Sequence, residues 1–162
     1  MIVEPTSLKD AMLVYLDPIK DDRGFFARAW CRQEFANVGV EAQVAQANIG
    51  YCARRGTLRG LHYQKAPYGE QKWIRCVHGA VYDVIVDLRP ESPTFKRWYG
   101  IELSSENRLM LYVPAGFAHV YLALEDSSAV FYLVSEFYTP DAEAGVRWND
   151  PAFGIEWPQC EE

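Results

Sequence analysis

With 162 residues the chain has the length of one globular domain, and we expect residues 1–162 to form a single domain. Its 16 Lys and Arg against 22 Asp and Glu give a net charge of −6, which argues against a broad nucleic-acid surface. Hydrophobic residues make up 49%, which excludes a disordered chain. No apolar run approaches the roughly 20 residues that cross a bilayer, and no secretion signal is recognised. We therefore expect a cytoplasmic protein that binds neither nucleic acid nor membrane.

Short segments rich in β-branched and aromatic residues, separated by Gly and Pro, predict strands along most of the chain. In chain order these are residues 11–16, 44–49, 74–77, 81–88, 99–103, 108–113, 119–123 and 129–136. The turn around Gly79 predicts that segments 74–77 and 81–88 form a hairpin. Helical signal is limited to residues 32–38, 104–107 and 140–143. So many strands favour an all-β fold, a closed barrel or a jelly roll whose interior can hold a small ligand.

Residues 58–64 combine Arg, His and Gln with apolar side chains. Strict alternation predicts that the even-numbered residues, His62 among them, share one face and that Arg59 lies on the other, unless a bulge intervenes. A histidine in a strand often has a purely structural role. His62 gains interest because Glu70 and Lys72, the segment Pro114–His119 and Tyr132 can converge with it in a barrel.

A metal site is the first hypothesis for these residues, since Pro114–His119 resembles the second motif of cupin barrels, whose histidine can ligate a metal. The first cupin motif would supply two histidines separated by one residue, whereas this chain has His62-Tyr63-Gln64. His62 and His119 alone are fewer than the three or four ligands needed, so we predict no metal. The four cysteines form no Cys-x-x-Cys pair, and we expect free thiols.

The same residues fit a reaction without a metal better than they fit a metal site. A neutral imidazole at His62 can remove a proton from the carbon next to a ketone. The resulting enolate needs a fixed cation, and Lys72 can supply it. A phenol at Tyr132 can return the proton from the opposite side. Taken singly, Lys72 also fits a solvated surface lysine, and Tyr132 fits a core tyrosine with a satisfied hydroxyl.

Seven motifs follow one another along the chain: Arg23-Gly24-Phe25-Phe26, Leu58 to Gln64, Gln71-Lys72, Val84 to Arg89, Ser92 to Phe95, Pro114 to His119 and Trp148-Asn149-Asp150. In order and spacing they resemble the dTDP-4-dehydrorhamnose 3,5-epimerase family, from about residue 23 to residue 158. The resemblance implies a cupin-type jelly-roll β-barrel with a few short peripheral helices. It further implies a homodimer that acts without a metal or organic cofactor on a nucleoside-diphosphate 4-keto-6-deoxy sugar, dTDP-linked by default.

The resemblance also assigns roles to individual residues. His62 matches the catalytic base, Tyr132 the acid of the opposite face and Lys72 the residue beside the C4 oxygen. The positions that match substrate contacts are Arg23, Phe26, Gln46, Asn48, Arg59, His119, Tyr138 and Glu143. Arginine suits a diphosphate because its guanidinium offers paired donors to phosphate oxygens.

Two departures from the family pattern stand out. Arg28 replaces a glutamate that helps to read the base, so the identity of the base is open. Typical members also continue past the Glu-Trp-Pro element to an aspartate that pairs with the catalytic histidine, whereas this sequence is a short form that ends at Glu162. An imidazole without a carboxylate partner loses orientation, and we expect Asp83 to substitute as the partner of His62.

The leading functional hypothesis is therefore epimerisation at C3, C5 or both carbons beside the C4 ketone, in deoxysugar biosynthesis. An epimerase specific for one carbon and a ketoisomerase that moves the carbonyl are alternatives, since both use the same enolate. A catalytically impaired cupin that only binds a sugar nucleotide is the alternative from another class. The joint presence of His62, Lys72 and Tyr132 argues against it, because a binder needs no acid on the opposite face.

Overall fold

The computed structural model describes residues 1–159, and almost all of its regular structure is β. The elements in chain order are β1 (Ile2–Pro5), β2 (Met12–Tyr15), β3 (Ile19–Asp21), β4 (Gly24–Phe26), α1 (Arg32–Ala36), β5 (Gln46–Cys52), β6 (Leu58–Gln64), β7 (Lys72–His78), β8 (Ala80–Asp87), β9 (Trp98–Ser104), β10 (Met110–Val113), β11 (Phe117–Ala123), β12 (Ser128–Val134), a 3₁₀ turn (Pro140–Ala142) and β13 (Glu143–Gly145). No helix in this part of the chain is long and apolar enough to cross a membrane.

Two antiparallel sheets carry the fold. The six-stranded sheet has the order β1-β2-β10-β7-β12-β5, and the five-stranded sheet has the order β13-β6-β11-β8-β9. The main hydrophobic core takes side chains from both sheets, such as Ile74 and Val130 from the first and Ile85 and Leu103 from the second. The sheets therefore face each other across this core. The arrangement confirms the predicted all-β jelly roll with short peripheral helices.

Each sheet also carries a smaller apolar cluster on its outer side. Phe35 of α1 packs with Trp73 and Tyr112 on the six-stranded sheet. The C-terminal segment covers the five-stranded sheet, where Trp157 and Phe153 pack on a cluster that includes buried Val84. Both sheets are therefore covered by apolar side chains on their outer sides as well as on the sides that face the main core.

The predicted hairpin between β7 and β8 is wrong, although both strands are present. β7 pairs with β10 and β12 in one sheet, whereas β8 pairs with β11 and β9 in the other. The chain crosses from sheet to sheet at Gly79, which has a φ of 68°. A Cβ at this position would lie 2.7 Å from the Oγ of Ser128. A tight turn fixes where two strands meet but not whether they pair, so the sequence alone could not separate the two arrangements.

A bulge in β6 changes which side chains face the interior. His62 is opposite His119, and Gly60 is opposite the next residue, Val120, so Leu61 is the extra residue. Gly60 has a φ of 130°, and a Cβ there would lie 2.5 Å from the carbonyl oxygen of His119. An extra residue reverses the alternation. Arg59 and His62 therefore share the interior face, which corrects the strict period-two prediction.

The interior also contains a close contact between β5 and β11. A Cβ at Gly50 would lie only 2.2 Å from the hydroxyl oxygen of Tyr121 and 3.4 Å from the ring carbon that carries it. Tyr121 is 6% exposed and belongs to the main core. The phenol therefore occupies the volume that any side chain at position 50 would need.

Candidate active site

A cavity of about 440 Å³ opens between the sheets at one end of the barrel. Strands of both sheets supply its walls, together with Glu70 in the loop before β7 and Tyr138 in the segment that leads to β13. The lining residues are Gln46, Asn48, His62, Tyr63, Gln64, Glu70, Lys72, Tyr132, Val134, Tyr138 and Glu143. This set contains seven of the twelve predicted site residues. The sequence motifs therefore converge on one site, although they are widely separated along the chain.

The three proposed reaction groups enter this cavity from the two facing sheets. His62 lies on β6 of the five-stranded sheet, whereas Lys72 and Tyr132 lie on the neighbouring strands β7 and β12 of the six-stranded sheet. The Nζ of Lys72 is 5.9 Å from the centre of the Tyr132 ring. Within residues 1–159 the His62 imidazole makes no hydrogen bond. A ring bound between the sheets would meet an imidazole on one side and a phenol and an ammonium on the other.

The environment of Tyr132 keeps its phenol protonated. Burial raises the pKa of Tyr132, the negative charge of Glu70 raises it further, and Arg59 opposes the shift. A phenol with a raised pKa stays in its acid form at neutral pH and so has a proton to donate. Arg59 itself donates from Nη2 to the carbonyl oxygen of Tyr51, 3.0 Å away. It does not line the cavity but faces the interior opposite Tyr121.

The rim of the cavity is held by hydrogen bonds to the segment after β12. The hydroxyl of Tyr138 donates to Glu143, and the backbone N–H of Tyr138 donates to the side-chain oxygen of Gln46, 2.8 Å away. Gln64 is 4% exposed; its amide nitrogen donates to the carbonyl oxygen of Phe137, 3.2 Å away. Its amide oxygen accepts from the backbone of Thr139. These bonds fix the Tyr138 ring beside Gln46 and Glu143.

The predicted contact between Asp83 and His62 is wrong. Asp83 is completely buried, and both of its oxygens lie within 3.0 Å of the Nε2 of His119. The strand order β6-β11-β8 explains the difference, because His119 on β11 lies between the other two residues. Burial raises the pKa of Asp83, and the adjacent His119 and the more distant Lys72 oppose the shift. Asp83 therefore orients His119 rather than His62.

Arg23 and Phe26, two predicted substrate contacts, do not line the cavity of their own chain. Arg23 lies in the turn of the two-stranded ribbon formed by β3 and β4, and Phe26 ends β4. The Arg23 side chain is 87% exposed and pairs with Asp21 on the same ribbon. Phe26 is 70% exposed. The ribbon projects both side chains into solvent.

Four residues that line the cavity were not among the predicted site residues, namely Tyr63, Gln64, Glu70 and Val134. Glu70 forms an ion pair with Lys72, and both side chains are nearly buried. A charged residue two positions before a candidate lysine is a visible signal, but it is equally typical of a solvated loop. Among residues 1–159, no group of three or more His, Cys, Asp or Glu side chains could hold a metal ion.

Comparison with known proteins identifies the family. A family model described as dTDP-4-dehydrorhamnose 3,5-epimerase matches residues 5–162. The crystal structure of such an enzyme from Bacillus anthracis str. Ames, with TDP and PPi bound, is 44% identical, with a TM-score of 0.94 over 99% of this chain and 91% of that chain.

Two further structures are similar over nearly the whole chain. A dTDP-6-deoxy-D-glucose-3,5-epimerase from Legionella pneumophila Philadelphia 1, in complex with dTDP-4-keto-L-rhamnose, is 31% identical, with a TM-score of 0.92 over 99% of this chain and 85% of that chain. A 3'-monoepimerase from Streptomyces bikiniensis, in complex with dTDP-quinovose, is 36% identical, with a TM-score of 0.89 over 98% and 80%. The chain thus has the cupin jelly-roll fold and belongs to the dTDP-4-dehydrorhamnose 3,5-epimerase family.

Proposed function

We propose that this protein epimerises a dTDP-linked 4-keto-6-deoxy sugar at C3, C5 or both, in deoxysugar biosynthesis. The observation that carries the proposal is the entry of His62 from one sheet and of Tyr132 and Lys72 from the facing sheet into one cavity. Inversion at carbon requires a base on one side of the ring and an acid on the other. The relatives that bind dTDP or dTDP-sugars support the same substrate class.

In the proposed reaction His62 removes the proton from the carbon beside the C4 ketone. The electron pair of that C–H bond forms a carbon–carbon double bond, and the carbonyl electrons move to the C4 oxygen. The Lys72 ammonium stabilises this enolate oxygen, which is often the largest single contribution to such a step. Tyr132 then donates its hydroxyl proton to the opposite side of the carbon, and the ketone forms again with the inverted configuration. Proton exchange with solvent restores both side chains.

The remaining cavity residues fit the nucleotide and the sugar. Tyr138 offers an aromatic surface at the rim, held by Gln46 and Glu143, that can stack on the base. Asn48 faces the cavity from the edge strand β5 beside Tyr132 and can bind sugar hydroxyls. His119, oriented by Asp83, and the exposed cationic Arg59 lie beside the cavity on the same face of the sheet as His62, and the proposal assigns them contacts with the substrate. No organic cofactor enters this scheme.

We further propose that the protein is a homodimer. The outer side of the six-stranded sheet carries exposed apolar side chains on its edge strand β5 and on β7, with Ile49 70%, Tyr51 53% and Val77 49% exposed. An apolar patch of this kind marks an interaction surface. Since Arg23 and Phe26 do not line their own cavity, the proposal assigns their substrate contacts to the cavity of the second copy.

Deuterium exchange tests the reaction directly. The protein is incubated in deuterated water with a dTDP-4-keto-6-deoxy sugar, and C3 and C5 are followed by NMR. Exchange with inversion at both carbons identifies a 3,5-epimerase, and exchange with inversion at one carbon identifies the single-carbon alternative. Replacing His62 by Ala should abolish exchange. Lack of exchange at both carbons in the unmodified protein would refute the enzyme hypothesis.

Subunit mixing tests the proposed role of the ribbon. Arg23→Ala and His62→Ala proteins are prepared separately, mixed under conditions that exchange subunits, and assayed. If Arg23 acts in the partner's cavity, a hybrid dimer contains one site with both residues intact, and about a quarter of the unmodified activity returns. A monomer in analytical ultracentrifugation, or no recovery after verified exchange, would contradict the proposal.

A further inference from the structure

Glu70 is the charged cavity residue for which the reaction scheme gives no role. It immediately precedes β7, and its side chain is 12% exposed, while that of Lys72 is 11% exposed. Its Oε1 accepts a hydrogen bond from the Nζ of Lys72. Both residues line the same cavity as Tyr132. A carboxylate is therefore in contact with the cation proposed to stabilise the enolate.

The lysine side chain needs such a partner if its ammonium is to be fixed before reaction. A free lysine loses rotamer entropy when its side chain is ordered. An ammonium has three N–H donors, so one bond to Glu70 leaves two for the C4 oxygen and the rest of the site. A donor that is already aimed requires no reorganisation when the enolate forms.

We propose that Glu70 is a positioning residue that holds the Lys72 ammonium at the C4 oxygen of the substrate. The proposal rests on the epimerase function proposed above and deepens it. The required property is the acceptor oxygen rather than the negative charge, because a second anion beside the enolate disfavours the charge that Lys72 must stabilise. A glutamine, with an amide oxygen at the same distance from the backbone, should therefore replace Glu70.

The charge of Glu70 has a separate effect on Tyr132. After burial, it is the second cause that raises the pKa of Tyr132. Removal of the charge leaves burial as the larger cause, so the phenol stays protonated at neutral pH in a Glu70→Gln protein. The proton donor therefore remains intact in the variant that tests positioning.

The test compares Glu70→Ala, Glu70→Gln and the matched control Glu102→Ala, an exposed carboxylate on β9. Steady-state kinetics and deuterium exchange with the dTDP-4-keto-6-deoxy sugar are measured for each. A misplaced reacting group costs up to about 100-fold in rate. We expect Glu70→Ala to lower kcat about 30-fold to 100-fold and to change KM less than threefold. Glu70→Gln and the control should keep kcat within about threefold of the unmodified protein. Calorimetric titration with dTDP and the thermal midpoint show whether each variant retains a folded site.

A second comparison removes Lys72 first. If Glu70 acts through the ammonium, Glu70→Ala should change exchange less than threefold in a Lys72→Met background, whereas independent effects would multiply. Three results would each overturn the proposal. The first is a Glu70→Ala protein as active as the unmodified one, and the second is a Glu70→Gln protein as impaired as Glu70→Ala. The third is a Glu70→Ala change that lowers exchange in the Lys72→Met background as much as it does in the unmodified protein. If the Ala variant does not fold, the Gln variant and the double variant decide the question. Absence of exchange in the unmodified protein would instead overturn the proposed function.

Discussion

Replacement of Asp87 by Asn should destabilise the protein in a way that depends on pH. Asp87 ends β8 and its side chain is fully buried, yet the carboxylate stays ionised. It accepts bonds from the Nε and Nη2 of Arg89 at 2.9 Å, from the Ser92 hydroxyl at 2.5 Å and from the Thr94 hydroxyl at 2.7 Å. These donors outweigh burial, which acts in the opposite direction, and they lower the pKa of Asp87 from 3.8 to about 2.

The magnitude follows from this shift. The lowering of the Asp87 pKa from 3.8 to about 2 corresponds to about 2.5 kcal/mol, since one pKa unit is about 1.4 kcal/mol. The unfolded chain binds a proton at the higher pKa, so the contribution is complete above about pH 5. It declines as the pH falls from there toward 2. Asn cannot ionise, and it also breaks the ion pair with Arg89. We therefore expect the free energy of unfolding at pH 7 to fall by about 2–3 kcal/mol.

Urea unfolding followed by tryptophan fluorescence measures this difference. The free energy of unfolding is determined at several values between pH 3 and pH 7 for the unmodified protein, for Asp87→Asn and for the exposed control Asp22→Asn. The gap between the first two proteins should narrow as the pH falls, while the control stays within about 0.5 kcal/mol of the unmodified protein. A gap that is equal at both ends of the range, or smaller than about 1 kcal/mol at pH 7, would refute the reasoning.

Three other substitutions follow from the site. Tyr132→Phe should lower product formation by at least about 100-fold, while His62 still exchanges the proton for deuterium with retained configuration; NMR of the recovered substrate measures both. Gly60→Ala should destabilise the fold by more than about 3 kcal/mol in urea unfolding, because its Cβ would lie 2.5 Å from a backbone oxygen at a φ of 130°. Asp83→Asn should move the ring resonances of His119 in NMR spectra far more than those of His62; the reverse order would contradict the observed pairing.

The sequence predicted the strands well because each is a short apolar or alternating segment between turn residues. Segments 99–103 and 119–123 lie inside β9 and β11, and helix α1 falls within the predicted residues 32–38. The strands β3 and β4 have three residues each and no buried side chain, and such short segments are too short to show a strand pattern. Local patterns indicate that a segment forms a strand, but its pairing depends on partners that are distant in the sequence. This explains the error in the pairing of β7 and β8.

Prediction of the site has the same limit, because contacts between distant segments could not be predicted. His62, Lys72 and Tyr132 were identifiable from residue type and motif, and the structure places them in one cavity. The partner of Asp83 depends on the sheet order, and the face of Arg59 depends on one bulged residue, Leu61. Neither feature has a signal within a single segment of sequence. Chemical roles were therefore easier to predict than the contacts that orient the groups.

The contact between Gly50 and Tyr121 restricts the order in which these two positions can change. A side chain at position 50 collides with the Tyr121 hydroxyl oxygen at 2.2 Å, but the ring carbon behind it is 3.4 Å away, which is close to ordinary contact. Loss of the hydroxyl would remove most of the collision. Tyr121→Phe followed by Gly50→Ala is therefore a permitted route, whereas the reverse order passes through a strained intermediate. Homologous barrels should accordingly show these two positions changing together.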